Sequence, residues 1–349
     1  MTRLLVLVLA GLAAAAVAFR PTGGVQIVVL DDQQRVDVSI DGALFTAYVY
    51  HDSIATLKKP VLYPIRTAGG QDITRGYPFE PRAGERVDHP HHIGHWLNYG
   101  DVNGYDFWNN SDAVPEERRP RMGAIRHRAI IQALGGDEHG VLDVEADWLT
   151  PTNTRLLQER TRFIFSGDDS MRVIDRITTL TALDQDVVFT DNKEGMIALR
   201  VTRALEHPEG KPVLLTDAAG KPRPEAVLDD TGVSGEYLSS EGVRGVDVWG
   251  TRGEWMMLIG ELAGEPVTVA LIDHPRNPGY PTYWHARGYG LFAANPLGQK
   301  ALSGGKEALN FALKASESVT FRYRIVVLSD PADAEKSVRQ LAATFADTP

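Results

Sequence analysis

The chain has 349 residues, no cysteine, 36 Lys and Arg against 46 Asp and Glu, and a formal net charge of −10. That acidity argues against nucleic acid as a partner, because phosphate binding calls for a basic surface. The missing thiols exclude a disulfide framework and lipid attachment through an N-terminal cysteine.

Thr2-Arg3 gives a short positive start, Leu4 to Val17 is apolar, and Ala16-Val17-Ala18 fits the small-x-small pattern of a secretory cleavage site. Residues 1–18 are therefore expected to be a signal peptide, with a mature chain from near Phe19 that is secreted or periplasmic. The apolar run falls short of the roughly 20 residues a membrane span needs, so no stable span is expected after cleavage.

Short β-branched and aromatic runs separated by Gly, Pro, Asp and Asn turns follow. Strands are expected at 25–30, 36–40, 43–50, 141–148, 156–165, 171–180, 196–201, 256–261, 267–272, 309–313 and 318–328. In the last, Phe321, Tyr323, Ile325 and Val327 alternate with Thr320, Arg322 and Arg324, as a half-buried strand requires. Residues 206–245 are rich in Pro, Gly, Asp and Glu and read as a long insertion or lid. A helical pattern comes only at Ala334–Phe345, where Asp330-Pro331 offers a cap and a first-turn proline. The expected fold is all-β: residues 19–349 form a single large antiparallel β-sandwich domain, carrying a histidine-rich site and a C-terminal helix.

That site is Asp88-His89-Pro90-His91-His92-Ile93-Gly94-His95, four of the ten histidines in eight residues. Imidazole titrates nearest neutrality and is the commonest metal ligand, so both proton transfer and metal coordination stand open. In an extended segment His89 and His91 share one face, and His92 and His95 converge only if a turn begins there. His89, His91, His92 and His95 are the candidate ligands, and a divalent transition metal is the cofactor such a set would take.

Residues 96–108 mix aromatics with amides and carboxylates, including Trp96, Asn103, Asp106 and Trp108. Flat rings beside hydrogen-bonding groups suit a sugar, whose C–H face stacks while its hydroxyls bond outward; a loop that merely plugs the core is the alternative. Farther on, His274 and Arg276 follow a strand end, and Trp284, His285 and Arg287 suggest a second pocket wall. Glu194, in Asp191-Asn192-Lys193-Glu194-Gly195, is a candidate general base or an ordinary charged turn.

Tyr63-Pro64 with Arg66, Asp88-His89-Pro90-His91-His92, Gly100 through Trp108, Lys193-Glu194-Gly195, Asp273-His274-Pro275 and Trp284-His285-Ala286-Arg287 through Asn295-Pro296 together resemble, in order, the bacterial PmoA family of unknown function. The resemblance runs from about Pro60 to Leu328 and implies that the distant histidine segments share one site. It also implies an association with carbohydrate metabolism. The methane-oxygenase sense of the label conflicts with a chain that lacks further membrane-length apolar runs. The sequence departs from the family pattern at Trp255-Met256-Met257-Leu258-Ile259, where an aspartate–tyrosine pair is expected.

Three readings follow. The first is an exported carbohydrate-active enzyme of epimerase, lyase or hydrolase type, built like the sandwiches of the aldose mutarotase group. His89, His91, His92, Glu194, His274 and His285 would be its acid and base groups. Arg66, Trp96, Asn103, Asp106, Trp108, Arg276, Trp284 and Arg287 would bind a small-molecule or oligosaccharide ligand. The second is a metal-dependent oxygenase or hydrolase with His ligands. The third is a noncatalytic glycan-binding protein.

Overall fold

The computed structural model describes residues 23–51 and 54–348, so the expected signal peptide lies outside the described residues. Among these residues, two antiparallel sheets face each other. One orders its seven strands Val25–Leu30, Arg35–Ile40, Ala43–Val49, Val61–Ile65, His95–Leu97, Ile197–Arg200 and Leu291–Ala294. The other has eight, ordered Glu236–Ser239, Trp255–Leu262, Glu265–Asp273, Ser318–Ser329, Met171–Ala182, Arg155–Gly167, Gly140–Leu149 and Ala124–Leu134. The protein is thus an antiparallel β-sandwich with a C-terminal helix.

Period-two alternation builds the core between the sheets. Phe321, Tyr323, Ile325 and Val327 point inward and meet Trp148, Phe163 and Leu271. On the other side of the same strand, Val326 and Leu328 lie beneath the helix Ala334–Ala346 and pack with Val338 and Phe345. The helix cap differs from the expected Asp330-Pro331. Asp330 has φ 46°, a turn conformation, and the capping side chain is Asp333, which accepts a hydrogen bond from the Lys336 amide.

The outer face of the seven-stranded sheet is also apolar. Val49, Tyr63, Trp96, Trp108, Ala198 and Leu291 form a second cluster there, roofed by loops. Alternation along His95–Leu97 consequently sends Trp96 to this outer cluster and Leu97 to the sandwich core. The 206–245 excursion is shorter than expected, because Glu236–Ser239 is an edge strand of the eight-stranded sheet. The remainder is fastened to the loop before the histidines: the Val87 amide donates to the Leu214 carbonyl and the Thr216 amide to the Glu85 carbonyl, both at 2.8 Å.

Gly94 joins the histidine loop to the central strand with φ 57°, and a Cβ there would sit 2.3 Å from the Leu62 carbonyl oxygen. Only glycine satisfies both conditions. Gly94→Ala should therefore destabilise the fold by about 2 kcal/mol or more in chemical denaturation, from strain and backbone clash together.

Candidate active site

Of the extended and turned forms open to the histidine loop, the structure takes the tight turn. His89 has φ 40°, and its carbonyl accepts the His92 amide at 2.9 Å. The turn brings three rings together: His89 and His92 stack with centroids 4.9 Å apart, and His91 meets His92 edge-on at 4.3 Å. Tyr289 also stacks with His89, at 4.6 Å, and Trp96 stacks with His92 at 5.1 Å.

The turn is held by Arg75, whose side chain has no solvent exposure. Its guanidinium donates to the carbonyls of Arg86, Asp88, His89 and His92 at 3.0–3.2 Å, and to Asp88 Oδ1 at 2.7 Å. Arg200, equally buried, donates to the same Oδ1 at 2.6 Å. Burial opposes the Asp88 charge, but Arg200, His89 and Arg75 together hold its carboxyl well below the usual carboxylate range. Behind this pair Arg86 bridges buried Glu206 at 3.0 Å and Glu209 at 2.9 Å. The loop before the histidines and the 206–211 segment thereby become one wall.

A cleft of about 560 Å³ opens over these groups. Its lining includes His89, His91, His92, Trp108, Glu194, His285, Arg287 and Tyr289. Of the distant histidine segments that the resemblance implies share one site, the structure brings His285 to the loop of His89, His91 and His92 and leaves His274 outside the cleft. Trp108 lies between the two histidine segments, edge-on to His92 at 5.6 Å and stacked with His285 at 6.4 Å. Two imidazoles of the cleft have a carboxylate close by, though neither Nδ1 makes a hydrogen bond: His89 Nδ1 is 3.3 Å from Oδ1 of Asp88, which lies behind the lining, and His285 Nδ1 is 3.8 Å from Glu194 Oε2.

Three of the imidazoles are held neutral. Burial, followed by Lys59 and His89, lowers His91 to about 2. Burial, followed by Lys193 and Arg287, lowers His285 to about 3. Burial and the neighbouring His91 and Arg200 push His92 well below its ordinary value. His92 Nδ1 faces the Arg200 guanidinium at 3.4 Å and must accept there, so Nε2 carries the hydrogen. That buried Nε2 has no hydrogen-bond partner, and a ligand oxygen would supply one.

Several expected site residues stand elsewhere. His95 turns into the sandwich, where its Nδ1 donates to the Ala198 carbonyl at 3.0 Å, because the strand begins at this residue. The four histidines therefore do not form one ligand set, and no group of three or more His, Asp or Glu among the described residues is placed to hold a metal ion. His274 packs edge-on against Phe345 at 5.0 Å and bonds the Thr348 carbonyl, so it serves helix docking. Arg276 beside it is exposed and outside the cleft. Arg66 pairs with Asp72 at 2.8 Å, and Asn103 fastens a turn to Val188 and Asp186. Trp284 enters the core between the sheets. Trp96 and Asp106 act from behind: Trp96 supports His92, and Asp106 accepts the Trp108 and Asn109 amides at 2.9 Å.

Sequence reasoning missed Arg75, Arg200, Lys59 and Tyr289. The available signal was a charged residue within an apolar run, as in Ile197-Ala198-Leu199-Arg200-Val201. Lys59 is 4% exposed, donates to the His91 carbonyl at 2.7 Å and lies over the Trp96 ring at 5.1 Å. Burial lowers its ammonium to about 7, against a smaller opposing effect of Asp106.

Arg75→Lys should destabilise the protein by about 3–5 kcal/mol in chemical denaturation, because an ammonium has three donors for five acceptors and leaves Asp88 underpaired. For Lys59 the folded pKa lies below that of the unfolded chain, so between pH 7 and 10 the unfolded state binds more protons and stability rises with pH, by up to about 1.4 kcal/mol per pH unit from this group. Lys59→Met should remove that rise when denaturation midpoints are compared across the same range; parallel curves for the two proteins would contradict it.

A search of curated proteins found no match. Among solved structures, the chain is similar to the galactosidase domain of an α-galactosidase–sucrose kinase, AgaSK, at 10% identity and TM-score 0.41 over 87% of this chain and 41% of that one. It is similar to the GH36 α-galactosidase AgaB of Geobacillus stearothermophilus at 10% identity and TM-score 0.40, over 87% and 40%. It is also similar to galactose 1-epimerase from Lactobacillus acidophilus NCFM, at 10% identity and TM-score 0.37 over 89% and 100%. The chain thus spans about two fifths of the length of either galactosidase. A family model matches residues 35–342, a span that holds every residue of the cleft, and nothing in the match connects it with the PmoA name. On that span the chain belongs to DUF6807, a family of unknown function.

Proposed function

We propose that the cleft binds a sugar or glycoside and moves a proton at it, in an epimerase or lyase type of reaction. The observation that carries this reading is the pair of carboxylate–imidazole couples, Asp88 with His89 and Glu194 with His285, at one cavity beside the Trp108 ring. Proton transfer at a carbon centre needs a group that removes the proton and another that supplies one.

The four groups would divide the work by environment. His89 is the exposed imidazole of the loop, with 38% of its side chain open to solvent. Asp88 lies behind its Nδ1, which orients the ring and leaves Nε2 to accept a proton. Glu194 is the second proton carrier, on the opposite segment. His91, His92 and His285, held neutral, serve as hydrogen-bond partners for hydroxyl groups. Trp108 and Tyr289 supply the aromatic faces on which a sugar's C–H surface rests. The N-terminal segment's composition extends the proposal to action outside the cytoplasm.

The test is solvent exchange. Neutral and acidic monosaccharides and their methyl glycosides are incubated with the protein in D₂O and followed by NMR. One sugar C–H should take up deuterium. Glu194→Gln and His89→Gln should each slow that uptake by about 10²–10⁴-fold while binding persists. Uptake that survives both substitutions, or a panel of which no member binds, would refute the reading.

A further inference from the structure

The carboxylates of the cleft are already engaged. Asp88 accepts from Arg75 and Arg200, Glu209 from Arg86 and Lys211, and Glu194 from Lys193. Arg287 stands apart. Its half-buried side chain lines the cleft, its guanidinium rests 4.8 Å over the Trp249 ring, and no carboxylate among the described residues pairs with it. Lys59, directly behind His91, is likewise an ammonium with no carboxylate partner. In a protein of net charge −10, the cleft carries a local excess of positive charge. The same cations bear on the neighbouring histidines: after burial, Lys59 is the leading cause of the His91 depression and Lys193 and Arg287 of that at His285.

Resting on the proposed proton-transfer reading, we propose that the substrate is an acidic sugar, a uronate or its glycoside, whose carboxylate is received by Arg287. A guanidinium fixed over an aromatic ring presents its planar fork with little further loss of freedom, and a carboxylate matches that fork with two parallel hydrogen bonds. Lys193 and Lys211 line the same cleft but are paired with Glu194 and Glu209, so Arg287 is the cation left to receive the carboxylate, and at this open cleft its attraction is screened by salt.

The carboxylate also explains why a carbon acid could react. The proton on the carbon beside it passes to one cleft base, and the C–H electron pair moves into the carboxylate, whose oxygens gain charge against Arg287. The pair then returns to carbon and takes a proton from the opposite side, inverting the centre with no net change of atoms or oxidation state.

Isothermal titration of the full chain with glucuronate and galacturonate, and with their neutral amides, tests this directly. The uronate should bind about tenfold to a hundredfold more tightly than its amide at low salt, and the gap should narrow in 0.5 M NaCl. Arg287→Gln should close the gap, and Arg287→Lys should keep part of it. The comparison on the unaltered chain stands even if a variant does not fold. Equal affinity for uronate and amide would overturn the charge assignment and leave the sugar reading intact. Tighter binding of glucose 6-phosphate than of either uronate would overturn the carboxylate in favour of a phosphate. Binding of none of these, nor of neutral methyl glycosides, would overturn the sugar reading itself.

Discussion

Everything about the cleft depends on one buried guanidinium. Arg75 gathers four carbonyl groups and a carboxylate oxygen from a loop that has no regular secondary structure of its own. Backbone carbonyls taken from water must find donors, and the Nη1 and Nη2 hydrogens of one rigid plane serve all of them at once, Nε taking no part. The cost is a charge without solvent, which Asp88 offsets at contact and Glu206 from farther away. Arg200 then shares the same carboxylate from the neighbouring strand, so the loop and the sheet are locked through a single oxygen.

The same cations set the chemistry of the rings above them. Imidazoles near neutrality usually hover between states. Here burial beside Lys59, Arg75 and Arg200 removes that ambiguity for His91 and His92. A cluster that looks, by composition, like a metal site or a proton store is instead mostly a set of uncharged donors and acceptors. The half-exposed ring of the cluster is His89, and it is also the one with a carboxylate at its back.

How much of this was legible in the sequence follows from how each residue is constrained. Long strands with one wet face, such as Ser318–Ser329, announce themselves by alternation. The short strands Val61–Ile65, His95–Leu97 and Leu291–Ala294 do not, because both faces are buried and the period-two signal vanishes. That failure misplaced His95, whose direction is set by strand phase and not by its neighbours in the cluster. The crowding of His89, His91 and His92 was readable, as were His285, Glu194, Trp108 and Arg287 by residue type. Arg75 was not, since nothing local distinguishes a guanidinium that organises a loop from one that lies on the surface, and Arg200 offered only the weak signal of a charge inside an apolar run. His274 misled for the opposite reason: it stands at a strand exit, where functional loops often begin, but the C-terminal helix covers it.

The cleft is assembled from segments scattered over most of the chain, with His89 and Tyr289 at its two ends in sequence and Trp108, Glu194 and Glu209 between them. Bringing such distant segments together closes loops of many tens of residues, an entropic expense met only when both sheets are in place. The wall that Arg86 and Glu206 join draws on two distant stretches of sequence, so a fragment ending before Glu206 lacks half of it. The pocket is consequently a property of the finished sandwich: it has no precursor in any part of the chain, and it disappears with the first cooperative opening of the central strands.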